Sequence, residues 1–210
     1  MFYLVFQLTD AAHIASQTSP ENCGPRQLPS GYSMEIWTPA WRRILPPTLG
    51  IKFALWWLLH FSGIFRNRHY TVLIVRRNGH PVHRTCLVPK YFRWPFMSDS
   101  DLQVSSTWTD TDHRCLGIAT YALQHAVSEW AKEGRTLWYV THADNAPSLS
   151  VCRNLGFRVK TAANRTSRFG VRLLGELALL DSAAGKGERS RGVIGPAYKA
   201  PSISADSGAK

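Results

Sequence analysis

The segment HRCLGIAT, residues 113–120, combines residue types that suit the binding of an anion. Arg114 supplies a positive charge, Gly117 lets a ligand approach the backbone closely, and Ala119 leaves the next turn uncrowded. An apolar stripe at helical spacing follows, and the first turn of a helix has backbone N–H groups without partners inside the helix. Together with the helix dipole, these groups favour a phosphate or pyrophosphate. The spacing R-x-x-G-x-A is neither a G-x-G-x-x-G dinucleotide motif nor a P-loop.

The composition agrees with an anionic partner. The 210 residues carry a formal net charge of +11, which favours nucleic acid, a phosphorylated cofactor or a lipid headgroup. The Lys and Arg residues are scattered and form no short basic-aromatic module, so we predict no nucleic-acid partner. The four cysteines form no C-x-x-C pair, which predicts neither a zinc site nor a disulfide framework. The N-terminus lacks the features of a signal peptide, so we expect a cytoplasmic protein with reduced thiols.

The apolar segment LGIKFALWWLLHFSGIF, residues 49–65, is shorter than the roughly 20 residues that a membrane-spanning helix needs. Lys52, His60 and Gly63 also interrupt it. We therefore expect no transmembrane segment. Two interpretations stay open: a helix that is buried or lines a groove, and a helix that lies on a membrane surface as a peripheral contact.

The remaining elements follow from periodicity and turn signals. Strands are predicted in MFYLVFQL, on both sides of a type I′ turn at Asn78-Gly79, and in DLQVSSTWT, TLWYVTH, FRVK and RFGVRLLGELALL. Helices are predicted near 50–62, after Gly117, in NAPSLSVCRNLG and, in a short form, around Trp41. Residues 16–34 are interpreted as loop. This order predicts an α/β domain over residues 1–181, followed by a disordered tail over 182–210, where Ala, Gly and Ser dominate.

The anion-binding loop has a second motif downstream of it. TLWYVTHADNAPSLSVCRNLGF, residues 136–157, reads as a strand, an Asn, a short helix and Gly-Phe. Here the chain resembles the GNAT superfamily of acyl-CoA-dependent N-acetyltransferases, in which R/Q-x-x-G-x-G/A binds the CoA pyrophosphate. In that family a later N-x-x-A-x-x-L-Y-x-K-x-G-F element packs beside the pantetheine arm. The resemblance implies a mixed, splayed central sheet flanked by helices in a single domain, with acetyl-CoA as acyl donor and no metal.

The resemblance also implies a set of cofactor-binding residues. An N–H near Trp108 or Thr109 would face the thioester oxygen, the loop would hold the pyrophosphate, Thr120 would add a hydroxyl, and Asn145 would hold the cofactor arm. In this chain Ser148 takes the usual Ala position, and Cys152 falls where many members have the Tyr that protonates the departing thiolate. The complete predicted set is Trp108, Thr109, Arg114, Cys115, Leu116, Gly117, Ile118, Ala119, Thr120 and Asn145.

Acetyl transfer to an amine requires a base that removes a proton and an acid that protonates the thiolate. His83, on the strand after the hairpin, is the first candidate for the base. Asp110, His113 and His142 are the alternatives. Cys152 could serve as the acid or could be an ordinary packed residue.

The acceptor is suggested by a weaker resemblance. VHRTCLVPKYFRWPFMSDSDLQVSSTWT, residues 82–109, resembles a GNAT subgroup associated with bacterial surface-polysaccharide pathways, which implies a nucleotide-linked amino sugar, a small and anionic amine. A protein or peptide amine, or CoA binding without catalysis, are the alternatives. The sequence does not indicate the oligomeric state. In the sugar-nucleotide interpretation, cationic residues meet a diphosphate and aromatic residues stack on a ring: Arg84, Lys90 and Arg93, and Tyr91, Phe92 and Trp94.

Overall fold

Eight strands form one mixed sheet in the computed structural model, which describes residues 3–9, 27–47, 49–131, 134–167 and 175–180. The spatial order is β2-β3-β4-β5-β6-β1-β7-β8, and neighbouring strands are antiparallel except for the parallel pair β5–β6. The strands are β1 Tyr3–Leu8, β2 Tyr32–Trp37, β3 Thr71–Arg77, β4 His80–Pro89, β5 Leu102–Thr109, β6 Leu137–His142, β7 Arg158–Arg165 and β8 Leu177–Leu180.

In the described parts of the chain, three α-helices cover the two faces of this sheet: α1 Lys52–Phe61, α2 Ile118–Trp130 and α3 Ala146–Asn154. Phe53 of α1 belongs to a core cluster on one face, with Val72 and Ile74 of β3. Leu123 of α2 and Cys152 of α3 belong to the cluster on the opposite face. The period-2 alternation of the strands thus supplies two apolar faces, each closed by helices. In the described part of the chain, no helix is long and apolar enough to cross a membrane.

The β3–β4 hairpin confirms the predicted turn. Asn78 and Gly79 have φ angles of 50° and 80°, the left-handed values that a type I′ turn requires at both central positions. Cross-strand pairs run from Thr71↔Leu87 to Arg77↔His80. The hairpin places His83 and Arg84 on β4, opposite Thr109 and Trp108 of β5.

Two local predictions are wrong. Residues 32–34, interpreted as loop, lie in β2, whose polar Ser33 and Glu35 weaken its apolar pattern at the sheet edge. The short helix expected around Trp41 is a turn closed by an isolated bridge between Ala40 and Arg43. Pro39 and Pro46 flank this segment, and proline restricts the residue before it to extended backbone. The predicted tail, residues 182–210, lies outside the described residues, so its disorder and the domain boundary stay predictions.

The parallel pair β5–β6 opens along its length. Its register covers three pairs, Leu102↔Leu137 to Val104↔Tyr139, while both strands continue beyond it. On its other edge, β5 shifts register against β4 between Arg84 and Cys86, where Ser106 has φ 52°. One extra residue in β5 at this point is a β-bulge, which bends the strand. The bend carries the end of β5 away from β6.

Asp101 holds the closed end of the pair together. Its carboxylate, only 3% exposed, accepts hydrogen bonds from the backbone N–H groups of Ser98 and Thr136 and from Trp138 Nε1, at 2.8, 3.0 and 2.9 Å. These donors belong to the segment before β5 and to the start of β6. The two strands are therefore fixed at one end and apart at the other.

Candidate functional site

The first turn of α2 has backbone N–H groups that no side chain caps. Gly117 is the N-cap residue in a left-handed conformation with φ 76°, and the first helical hydrogen bond runs from Tyr121 N–H to Gly117 O at 2.9 Å. No Asp or Glu lies in that turn. The N–H groups of residues 118–120 precede this bond, so they are available to an anion. A left-handed φ strongly favours glycine, which explains this residue at the N-cap.

The loop before α2 adds positive charge and a tight backbone. Arg114 is exposed, and its Nε donates to Thr109 O at 3.2 Å, which ties the guanidinium to the end of β5. Cys115 is exposed, with φ 61°, and Leu116 is 47% exposed. The side chain of Thr120 is 8% exposed and faces the interior. Of the predicted pyrophosphate groups, the backbone and Arg114 are therefore better placed than the Thr120 hydroxyl.

A cleft of about 290 Å³ occupies the space between the diverging strands. It lies at the carboxyl ends of the parallel pair β5–β6, the same edge of the sheet from which the chain continues into the α2 loop. The lining residues are Tyr3, Val104, Ser105, Ser106, Thr107, Tyr139, Val140, Thr141, His142, Asn145 and Ser148.

Asn145 begins α3 at the side of this cleft. Its Oδ1 accepts a hydrogen bond from Ser148 N–H at 3.2 Å, the N-cap interaction that asparagine commonly makes. Gly156, with φ 75°, follows the helix, and Phe157 packs in the core against the Tyr139 ring. The predicted element at residues 145–157 is thus a helix beside the cleft, and Asn145 lines it.

His83 does not lie in the cleft. It is 0% exposed, its Nδ1 is 2.8 Å from Thr109 Oγ1, and its Nε2 is 3.0 Å from Thr85 Oγ1. Burial, together with the nearby Arg84 charge, lowers the pKa of His83 to about 4. Both ring nitrogens are thus occupied by side chains, so the imidazole has no free position for an acceptor amine.

His142 lies in the cleft itself. Its ring packs on Tyr3 with centroids 4.3 Å apart, and its buried Nδ1 has no hydrogen-bond partner in the described structure. An unpartnered buried polar atom is uncommon and calls for an explanation such as a ligand. Among the candidate bases, His142 is the one that the structure brings to the cleft.

The other two candidate bases have structural partners. His113 Nδ1 lies 2.9 Å from the Tyr32 hydroxyl, in a short 3-10 helix over Thr111–His113. Asp110 caps that helix by accepting from Asp112 N–H at 3.2 Å. Neither side chain lines the cleft.

Cys152 lies in the core below α3. It is 1% exposed, and burial raises the pKa of its thiol to about 12. Sequence reasoning missed the residue that borders the cleft beside it, Tyr139. The strand pattern of TLWYVTH could have indicated it, because residues 137 and 139 share the face that α3 covers.

The end of β5 has one N–H that is not directed at β4, although neither Trp108 nor Thr109 lines the cleft. Asp110 N–H donates to Val82 O of β4 at 2.8 Å. Because N–H directions alternate along an antiparallel strand, the Trp108 N–H points toward β4 and the Thr109 N–H points away from it. Of the two predicted oxyanion donors, Thr109 has the suitable direction.

The aromatic cluster expected to stack on an acceptor ring is largely part of the core. Tyr91 and Trp94 are 5% and 8% exposed and belong to the cluster under α1, so the prediction that they form a stacking platform is wrong. Phe92 is 44% exposed. Lys90 forms an ion pair with Asp99 at 3.0 Å.

Arg84 and Arg93, the other two cationic residues predicted to meet a diphosphate, both lie over aromatic rings. Arg84 lies between the rings of Phe53 and Trp108, at 5.8 and 5.0 Å from their centroids, and its buried Nε has no hydrogen-bond partner in the described structure. The Arg93 guanidinium lies over the Tyr91 ring, 5.9 Å from its centroid. Within the described residues, no group of three or more His, Cys, Asp or Glu side chains could hold a metal ion.

Comparison with known proteins identifies the family. Residues 32–157, more than half of the chain, match the family model described as the Acetyltransferase (GNAT) family. The chain belongs to this family. The predicted α/β class and the mixed, splayed GNAT sheet are confirmed. No curated protein matches the chain.

Several solved GNAT structures resemble the fold at low sequence identity. A GCN5-related N-acetyltransferase from Kribbella flavida is 14% identical, over 77% of this chain and 56% of its own, with a TM-score of 0.43. One from Sphaerobacter thermophilus is 16% identical, over 77% and 49%, with a TM-score of 0.47. AAC(6')-Iy, solved with the bisubstrate analogue CoA-S-monomethyl-acetylneamine, is 16% identical, over 65% and 97%, with a TM-score of 0.41. The chain spans about half the length of the first two.

Proposed function

We propose that the protein is an N-acetyltransferase that moves an acetyl group from acetyl-CoA to a small primary amine. One observation carries this proposal: an uncapped helix N-terminus and an open cleft lie at the same carboxyl edge of the parallel pair β5–β6. The first suits the pyrophosphate of CoA, and the second suits its narrow pantetheine arm. Family membership supports the same donor.

Each group in the proposed site has one task. The N–H groups of residues 118–120 and the Arg114 guanidinium bind the pyrophosphate, and Gly117 permits its close approach. Asn145 lies beside the cofactor arm. The Thr109 N–H donates to the oxygen of the thioester carbonyl, and one such donor contributes several kcal/mol to the transition state.

The acceptor amine must lose a proton before or during its attack. We propose His142 for this task, in place of the buried His83, because His142 lines the cleft and its Nδ1 is unpartnered. A neutral imidazole accepts the proton and returns it to solvent. The carbonyl carbon then bonds to nitrogen, and the C–S bond breaks.

An anionic amino sugar, such as one linked to a nucleotide, is the acceptor class that we propose. The support is electrostatic: Arg84 lies on the α1 side of the sheet next to Trp108, with its Nε unpaired in the described structure. The net charge of +11 favours a second polyanion beside CoA.

A panel of acceptors tests the proposal. Purified protein is incubated with acetyl-CoA and UDP-linked glucosamine, free glucosamine, a lysine-containing peptide or no amine, and both thiol release and product mass are measured. We expect acetylation of the sugar amines, with the nucleotide-linked one preferred. Acetylation of the peptide alone would show that the acceptor is a peptide amine and would refute the amino-sugar proposal. Acetyl-CoA binding without any turnover would indicate a non-catalytic module and refute the enzymatic proposal.

A membrane surface is a second partner that one specific feature favours. Ile51, Leu55 and Leu58 recur at helical spacing on the outer side of α1 and are 75%, 56% and 55% exposed. Trp41, 74% exposed, packs against Phe61 of the same helix. We call the four exposed residues the α1 face. Large apolar side chains that are exposed together on one face are typical of a docking site.

The surrounding charge decides which partner fits the α1 face. Residues 36–98 contain ten Lys and Arg residues and no Asp or Glu. Arg42 and Arg43, next to Trp41, and Arg66 and Arg68, beyond α1, are exposed. An apolar stripe flanked by arginines suits the interface of an anionic bilayer. A reversible contact of this kind is compatible with the predicted cytoplasmic location.

Vesicle sedimentation tests the contact. We expect the protein to sediment with vesicles of phosphatidylcholine and phosphatidylglycerol but not with phosphatidylcholine alone. The double substitution Leu55→Glu/Leu58→Glu should abolish sedimentation, whereas Val159→Glu, at a 58% exposed position on β7, should not. If Leu55→Glu/Leu58→Glu sediments with vesicles to the same extent as Val159→Glu, the α1 face is not the membrane contact. Concentration-dependent dimerisation lost in the double variant, without lipid binding, would assign the face to a second copy instead.

A further inference from the structure

A chain of side-chain hydrogen bonds links β4 and β5 and reaches the cleft beside Tyr139 of β6. Thr109 Oγ1 lies 2.8 Å from His83 Nδ1, and His83 Nε2 lies 3.0 Å from Thr85 Oγ1. Thr85 Oγ1 donates to Thr107 Oγ1 at 3.3 Å, and Thr107 and Tyr139 both line the cleft, with the Thr107 hydroxyl acting on the Tyr139 phenol. We call these five residues the proton chain. Thr85 and His83 are 0% exposed, so its central members are shielded from solvent.

The bonds of the proton chain can all point the same way. The Thr85 hydroxyl donates to Thr107, and the Tyr139 hydroxyl donates onward to Ser148 Oγ at 3.4 Å, on the cleft side. With the proton on Nε2, His83 donates to Thr85 and accepts from the Thr109 hydroxyl. Hydrogen bonds aligned in one direction polarise one another. Such an arrangement moves protons from the half-buried Thr109 to the cleft.

The two departures from the family's helical motif meet at the cleft end of this chain. Ser148, in the usual Ala position, is the partner of the Tyr139 hydroxyl. Cys152, in the usual Tyr position, packs in the same core cluster as Tyr139. Because the side chain at position 152 of α3 is small, the space is available to the phenol of Tyr139 on β6. Both departures therefore lie close to Tyr139.

We propose that Tyr139 is the proton donor to the departing thiolate and that the proton chain restores its proton. This inference rests on the proposed acetyl transfer. When the C–S bond breaks, its electron pair goes to sulfur, and the Tyr139 hydroxyl proton moves to that sulfur, forming the CoA thiol. The phenolate oxygen then takes a proton from Thr107, Thr107 from Thr85, and Thr85 from His83 Nε2. His83 Nδ1 takes the Thr109 proton, which solvent replaces.

The environment of the chain keeps its members in the protonation states that this transfer needs. Burial lowers the pKa of His83 to about 4, so the ring is neutral and can accept at Nδ1 while it donates at Nε2. Burial raises the pKa of Tyr139 above its ordinary value, so the phenol stays protonated at neutral pH. The chain therefore carries a proton without holding a lasting charge in the core.

The decisive experiment removes the phenol at position 139 and introduces one at position 152 of α3. With acetyl-CoA and the acceptor that turns over in the panel, Tyr139→Phe should lower kcat about 100-fold, at the lower end of the range for acid–base groups. Acetyl-CoA affinity should be unchanged. The double substitution Tyr139→Phe/Cys152→Tyr should recover at least about tenfold of the loss. A kcat of Tyr139→Phe within about threefold of wild type would overturn the proposal, provided that the wild type is active.

A second pair of variants separates proton transfer from packing. Thr85→Val keeps the shape of the side chain and breaks the chain at its centre, so it should lower kcat about tenfold. It should also reduce the solvent deuterium isotope effect on kcat. Thr71→Val, which removes another buried hydroxyl that donates to His69 O, is the control and should alter neither quantity. Equal effects of the two variants would assign the chain a structural role.

A binding measurement tests the contact without turnover. A phenol that meets the sulfur should make wild type bind CoA about three- to fivefold more tightly than desulfo-CoA, the effect of one hydrogen bond. Tyr139→Phe should remove that difference. A difference retained in Tyr139→Phe would contradict the proposal. Failure of wild type to bind either compound would contradict the proposed function instead.

Discussion

The two edges of strand β5 are organised in opposite ways. Along the β4 edge, hydroxyl and imidazole groups satisfy one another, and His83 and Thr85 have no exposed surface. Along the β6 edge, pairing ends after Val104↔Tyr139, and the strands leave a cleft of about 290 Å³. Strand β5 thus has buried polar side chains that hydrogen-bond to one another along one edge and a cleft with polar lining along the other.

The comparison of the two histidines at these edges shows why residue type is a weak guide to role. His83 and His142 both lie on strands near the bulge of β5. His83 has both nitrogens bonded, whereas His142 Nδ1 has no partner in the described structure. An unpartnered group on a residue that lines the cleft can meet a substrate, whereas a group with all its hydrogen bonds made can act on the substrate only through its neighbours. The following predictions test this difference, beginning with the cleft edge.

The largest effect is expected at the helix N-terminus beside the cleft. Gly117→Val should weaken acetyl-CoA binding at least about 100-fold, because a β-branched side chain blocks the N–H groups that face the pyrophosphate. Isothermal titration calorimetry measures the affinity. Gly134→Val is the matched control, since Gly134 has the same φ of 76° and nothing within 4 Å of an added Cβ.

Both glycine variants share the cost of a valine in left-handed backbone, on the order of 1–2 kcal/mol. Gly134→Val should therefore lose stability without losing acetyl-CoA affinity. Similar affinities for the two variants would refute the pyrophosphate site at Gly117.

The next effect distinguishes the histidines by activity. His142→Ala should lower kcat about 100-fold, whereas His83→Ala, which interrupts a relay, should lower it by about tenfold. Acetyl-CoA affinity should change little in either variant. Steady-state kinetics over a pH range provide the check, and a larger kcat loss in His83→Ala would reverse the proposed roles.

The smallest effect concerns stability and pH. The pKa of His83 falls from 6.5 in the unfolded chain to about 4 in the folded protein, so the unfolded state binds more protons between these values. The stabilisation is complete above pH 6.5 and is lost as pH falls toward 4, by about 3 kcal/mol in total. Urea unfolding of wild type and His83→Asn at several pH values measures it.

The variant should show a shallower decline of unfolding free energy in this window than wild type. The carboxylates, together with His60 and His69, contribute equally to both proteins, so the difference in slope isolates His83. Parallel slopes would mean that the folded-state pKa of His83 is close to its ordinary value.

Much of the framework could be predicted from the sequence because it is encoded locally. The Asn78-Gly79 turn, the strands around it and the helix after Gly117 depend on residues close together in the chain. The loop and helix elements of the family motif are equally local. Strand β2 was missed because its pattern contains Ser and Glu at a sheet edge, where one face needs no apolar cover.

The site itself depends on contacts between distant segments, which no local pattern encodes. His83, Thr107 and Tyr139 meet because a bulge displaces the end of β5 and the chain returns in β6. The burial of Tyr91 and Trp94 likewise depends on α1, which covers them from 30 or more positions earlier in the chain. Their aromatic character alone suggested a surface for stacking, and the packing gives them a different role.

The Asp101 carboxylate has a consequence for how ligand affinity is obtained. Two of its hydrogen bonds, from Thr136 N–H and Trp138 Nε1, join the start of β5 to the start of β6, so the gap between the strands is built during folding. A ligand that enters the gap separates no paired backbone groups, so more of its contact energy is retained as affinity. The Asp101 hydrogen bonds thus fix the separation of β5 and β6 independently of the residues that line the cleft. Substitutions in the lining can therefore change which ligand binds without closing the cleft.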